Sequence, residues 1–129
     1  MSNKLGFVTI LVNDQKRALD FYTNKLDFKV EMDNTMPNGF RWLVVHAKDQ
    51  PDFGITLILA DTDEKKARVG SQVANHAFLT LQTDDCRRDY ELFKSRGIRF
   101  FGEPTQNPWG TEVIFEDLYG NRFDMIQRS

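Results

Sequence analysis

An internal repeat constrains this chain more than any other feature. Aligning Asp14 with Asp85, an offset of 71 residues, sets FVTILVNDQKRALDFYTNKL (7–26) against FLTLQTDDCRRDYELFKSRG (78–97). Phe7 then meets Phe78, Thr9 meets Thr80 and Arg17 meets Arg88, while Ile10 faces Leu81 and Tyr22 faces Phe93. At the same offset the apolar segments Arg41–Val44 and Glu112–Phe115 also coincide. A repeated unit this short cannot bury a full core alone, so a chain of 129 residues reads as two small units within one domain.

Each unit reads as βαβββ. Residues 5–12 are β-branched and apolar, a strand; Asn13 or Asp14 caps a helix running to Leu26, with Ala18, Phe21 and Tyr22 inward. FKVEMD (28–33), RWLVVHA (41–47) and GITLILA (54–60) are strands, and MPNGF (36–40) is a turn. In the second unit AFLTLQT (77–83) is a strand, and Asp84 or Asp85 caps a helix that Gly97 closes. IRFFG (98–102) is the expected second strand and EPTQNPWG (103–110) a Pro-rich loop. TEVIFED (111–117) and RFDMIQ (122–127) complete the unit, with LYGN (118–121) as a turn in which Gly120 takes positive φ. The boundaries are about 1–61, a charged linker at 62–75, and 76–129, within a single domain over 1–129.

Composition narrows the function classes. Net charge is −2 and no basic cluster carries interleaved aromatics, so nucleic acid is not an expected partner. No apolar run is long enough to span a membrane, and residues 1–14 lack a signal-peptide pattern, so the expected location is the cytoplasm. Cys86 is the single cysteine, which excludes an internal disulfide and multi-cysteine zinc sites. Phosphate loops, Ser-His-Asp arrangements and paired-His helix motifs are missing from the sequence. Phenylalanine is abundant, at 11 residues against 3 Tyr and 2 Trp, so phenyl rings will line any core or pocket.

Strand alternation assigns faces. Val8, Ile10 and Val12 face the helix, and Phe7, Thr9 and Leu11 point away; Leu79 and Leu81 face the helix, and Phe78, Thr80 and Gln82 point away. An outward face mixing aromatics, hydroxyls and an amide suits a small-molecule pocket, and equally suits packing against a partner surface. Trp109, in NPWG, either lids such a pocket or closes the core. Arg41 and Arg122 could meet an anionic ligand but read more simply as surface residues, and parity leaves the side taken by Trp42 open.

The doubled βαβββ unit, together with VNDQKRALDFYTNKLDF (12–28), PTQNPWGTEVIFED (104–117) and DLYGNRFDMIQ (117–127), resembles the vicinal oxygen chelate superfamily. That group includes glyoxalases, extradiol dioxygenases and bleomycin- and fosfomycin-resistance proteins. The resemblance implies an α+β fold of two tandem modules whose cupped mixed sheets surround a cavity. It also implies that metal-dependent members draw ligands from the first and last strands of each module. The matching positions here are Phe7, Thr56, Phe78 and Asp124, of which only Asp124 is an ordinary ligand. No cofactor is therefore expected. A displaced site would have to combine His76, Asp124 and either Glu112 or His46.

The expected function is metal-independent binding of an aromatic or moderately apolar compound through Phe7, Thr9, Thr56, Ile58, Phe78, Thr80, Gln82, Trp109 and Asp124. The alternative is a lyase- or isomerase-type enzyme using Asp124, whose carboxylate beside phenyl rings would gain a raised pKa suited to a general base. A hydrogen bond from Thr56, Thr80 or a backbone amide is the plainer role for Asp124. A homodimer is expected, since symmetric pairing would complete a cup.

Overall fold

The computed structural model describes residues 2–129. The chain divides into two compact units, Met1–Val69 and Gly70–Ser129, each built around its own four-stranded mixed sheet.

In the first unit β1 (Phe7–Val12) leads into α1 (Gln15–Asp20), then come β2 (Lys29–Thr35), β3 (Arg41–His46) and β4 (Gly54–Leu59), and a short α2 (Asp63–Arg68) ends it. The sheet order is β1-β4-β3-β2, with β1 parallel to β4 and the other pairs antiparallel. In the second unit β5 (Ala77–Gln82) and α3 (Cys86–Ser95) precede β6 (Thr105–Asn107), β7 (Gly110–Glu116) and β8 (Arg122–Arg128), in the order β5-β8-β7-β6. The fold is thus α+β, in two tandem βαβββ modules.

The repeat extends to single hydrogen bonds. Asp14 accepts the Arg17 backbone N–H at 3.0 Å, and Asp85 accepts that of Arg88 at 3.0 Å, the same helix cap at the same offset. Ile10 and Val12 are fully buried toward the helix side, as are Leu43, Val45 and Leu57. In the second unit Phe115 stacks on Phe123 at 5.0 Å, and Met125 beneath α3 and Cys86 at the start of that helix have no exposure.

After the helix the offset changes. α1 opens into a π turn over Phe21–Lys25, which accommodates one extra residue. The left-handed residues that follow the two helices, Asp27 (φ 60°) and Gly97 (φ 87°), are therefore 70 apart. The third strands keep that spacing. Val44 pairs with Thr56 as Ile114 pairs with Asp124, so Val44 corresponds to Ile114, and Trp42 to Glu112. The constant offset of 71 expected from sequence is one residue out here, and in a strand that exchanges the two faces.

Two further expectations are corrected. IRFFG is not a ladder strand; Phe100 makes only an isolated bridge to Phe115, and the chain then turns at Gly102 (φ 116°). The second strand of this module lies inside the expected loop, as β6, joined to β7 through Pro108 and Trp109. The hairpin closes on Gly110 (φ 148°), where an added Cβ would stand 2.3 Å from the Gln127 carbonyl oxygen. Only glycine fits so close to β8.

Candidate functional site

The second module carries a concavity of about 560 Å³ on the sheet face opposite α3. The register builds it: Ile114 lies opposite Asp124, Glu116 opposite Arg122, and Glu112 opposite both Ile126 on β8 and Thr105 on β6. Alternation sends Asp124 away from the helix, because its neighbours Phe123 and Met125 are buried on the helix side. Asn75, His76, Ala77, Phe101, Glu103 and Asn107 also line it.

The most unusual chemistry is a pair of carboxyls, Glu112 and Asp124, that both line this surface. Glu112 Oε1 accepts Asn107 Nδ2 at 3.1 Å and the indole Nε1–H of Trp109 at 3.0 Å. Asp124 Oδ1 is sealed from solvent and has no hydrogen-bond partner. Burial pushes the Asp124 carboxyl up to about 6, and the neighbouring Glu112 carboxyl adds to the rise. Of the partners expected for Asp124, neither Thr80 nor a backbone amide donates to this oxygen.

The cations nearby are engaged elsewhere. Arg122 stacks on the Phe101 ring at 4.5 Å and donates to the Asn75 carbonyl at 3.0 Å. Arg99 covers the same ring at 5.0 Å and pairs with Glu116 at 3.0 Å. Phe101 is 38% exposed, and both guanidinium groups lie over its ring.

A model of the Glyoxalase/Bleomycin resistance protein/Dioxygenase superfamily matches residues 4–125. The chain belongs to this superfamily. An uncharacterized protein of Shewanella frigidimarina is 36% identical over 98% of this chain and 95% of its own length. Among solved structures, UcmS2 matches with a TM-score of 0.86 at 34% identity, covering 98% of both chains. TnmS3, an antibiotic binding protein from Streptomyces sp. CB03234, matches with a TM-score of 0.82 at 30% identity, over 99% of this chain and 98% of that one.

The superfamily's first- and last-strand positions can now be placed. Thr9 lies opposite Thr56 and Leu11 opposite Ile58, while Phe7 lies opposite Gly54. Gly54 leaves room for the Phe7 ring, since a Cβ there would approach Phe7 Cδ1 to 3.1 Å and Val44 Cγ1 to 2.6 Å. In the second module Thr80 lies opposite Asp124 and Gln82 opposite Ile126. Phe78 falls in a bulge between Ala77 and Leu79, which breaks the even alternation expected of β5. Ala77, rather than Phe78, pairs with Arg122 beside the concavity.

Phe7, Thr9, Thr56 and Ile58 therefore share one face of the first sheet. Asp124 lines the concavity in the second, with Thr80 in register beside it. Trp109 is 57% exposed and bonded to Glu112, so it does not close the core. Trp42, at 41% exposure, lies on the face away from α1, sharing the strand parity of Val44 and His46. Phe101 and Asn107 are site residues that sequence reasoning missed; Arg122 entered it chiefly as a surface residue, and Glu112 only as a ligand of the displaced site. The pairing of β6 with β7 and the turn after Phe101 bring them together, and neither is visible as periodicity. His76, Glu112 and Asp124 line one concavity, yet among the described residues no three His, Cys, Asp or Glu side chains are arranged to hold a metal ion. His46 lies in the first module, 3.9 Å from Glu31.

Proposed function

We propose that the chain is a metal-independent small-molecule-binding protein of this superfamily, taking an aromatic or moderately apolar compound. The concavity carries the reading: its volume suits a compact organic ligand, and Phe101 and Ile114 give it flat, apolar wall beside a few polar groups. Similarity to TnmS3, an antibiotic binding protein, supports small-molecule binding. The donor set supports metal independence. At the positions that the resemblance assigns to ligands stand Phe7, Thr56, Phe78 and Asp124, two phenyl rings, one hydroxyl and one carboxyl, which do not fit a divalent metal.

Thermal melts with Zn²⁺, Ni²⁺, Mn²⁺ and Fe²⁺, run beside titrations with bleomycin and the planar aromatic acridine, test the reading. Saturable binding of either organic probe without metal supports it. A melting-point rise with stoichiometric metal overturns metal independence, and failure of both probes to bind overturns the ligand class. The reading includes a homodimer, which a monomeric mass by light scattering would remove.

One observation favours a second reading, a lyase- or isomerase-type enzyme. A carboxyl titrating near 6 is well placed to move a proton at neutral pH. Turnover unchanged by Asp124→Asn would remove that role.

A further inference from the structure

We propose that the Glu112–Asp124 pair seats a positively charged nitrogen of the ligand, an amine, amidine or guanidine carried on a flat apolar body. The inference rests on the small-molecule-binding reading above and adds the chemistry of the ligand's polar end.

Three independent features of the concavity converge on it. Asp124 Oδ1 is a buried acceptor without a donor, and buried acceptors rarely stay so. Glu112 is not free to swing away and relieve the crowding, because Asn107 and Trp109 both hold its Oε1. No Lys, Arg or His pairs with either carboxyl among the described residues; Arg122, which lines the same surface, is spent on Phe101 and the Asn75 carbonyl. Two carboxyls in this position need either a proton or a cation between them. A ligand N–H⁺ supplies both the missing donor and the missing charge, and makes charge-assisted hydrogen bonds. Phe101 and Ile114 then receive the ligand's apolar body.

The experiment compares two probes with the same three-ring skeleton at pH 8: 9-aminoacridine, which is cationic there, and acridine, which is neutral. Wild-type protein is expected to bind 9-aminoacridine about tenfold tighter or more. In Asp124→Asn and in Glu112→Gln the ratio is expected to fall to within about threefold, through a loss of 9-aminoacridine affinity. Equal affinities in the wild type overturn the inference and leave the binding reading standing, as does a preference that survives both substitutions. Binding of neither probe overturns both. Because the ratio is read first in unaltered protein, misfolding of one variant leaves the decision to that ratio and the other variant.

Discussion

Replacing Asp124 with Asn should stabilise this protein at alkaline pH and leave it unchanged in acid. An acid whose pKa is higher folded than unfolded holds its proton more tightly in the folded chain. Its stabilising contribution is complete below about pH 3.8 and is lost as the pH rises through about 6. At pH 8 the folded chain carries a carboxylate that is desolvated and crowded by Glu112. The gap between 3.8 and about 6 corresponds to ~3 kcal/mol at most. Asp124 is partly exposed, so solvent screening reduces this to about 1 kcal/mol. Asparagine has the same shape, and its Nδ2 can donate to Glu112 where the carboxylate cannot. Urea denaturation at pH 8 should show D124N more stable by about 1 kcal/mol, or a melting point up by roughly 4 °C. The difference should shrink across pH 6 and vanish near pH 3.5, where both forms of residue 124 are neutral. A variant less stable than wild type at pH 8, or a gain of equal size at every pH, would refute the argument.

Three other outcomes are expected. Gly110→Ala should lower stability by about 2 kcal/mol in chemical denaturation, since it combines a left-handed φ with a clash against the Gln127 carbonyl. Asp14→Ala and Asp85→Ala should cost about 1 kcal/mol each, and a large inequality would show that the two matching caps carry different loads. Cys86 should react with a thiol-specific disulfide reagent only after unfolding: it is fully buried, and burial pushes its thiol pKa up.

The helix caps, both first strands and the order of elements were legible because each rests on local chemistry: an Asp before an amphipathic segment, an apolar alternation, a glycine at a helix end. The fold class follows from those signals alone. The carboxyl pair was only half legible. Asp124 stood out as the last strand's one candidate ligand, but its contact with Glu112 depends on a cross-strand register. That register belongs to the β7–β8 hairpin, and Glu112 is held there by Asn107 and Trp109, from a three-residue strand and turn in a Pro-rich stretch that has no period to detect. The one-residue slip in the offset of the third strands has another origin. A one-residue insertion inside a helix leaves the hydrophobic stripe nearly intact, so sequence gives no warning that every later position has moved.

That insertion also says where this chain can change length without loss. The π turn at Phe21–Lys25 takes up its surplus residue before β2 begins, so the inward and outward sets of the following strands are undisturbed. The same surplus within β3 or β7 would turn a buried row toward solvent and carry Trp42 or Glu112 to the wrong side. Length variation among related chains should therefore concentrate in the helix ends and hairpin loops. The sheet rows that present the carboxyl pair and the Phe7–Gly54 contact should keep their residue count while their identities drift. A scaffold of this kind can exchange the lining of its faces residue by residue, and so take up new ligands, provided the count is left alone.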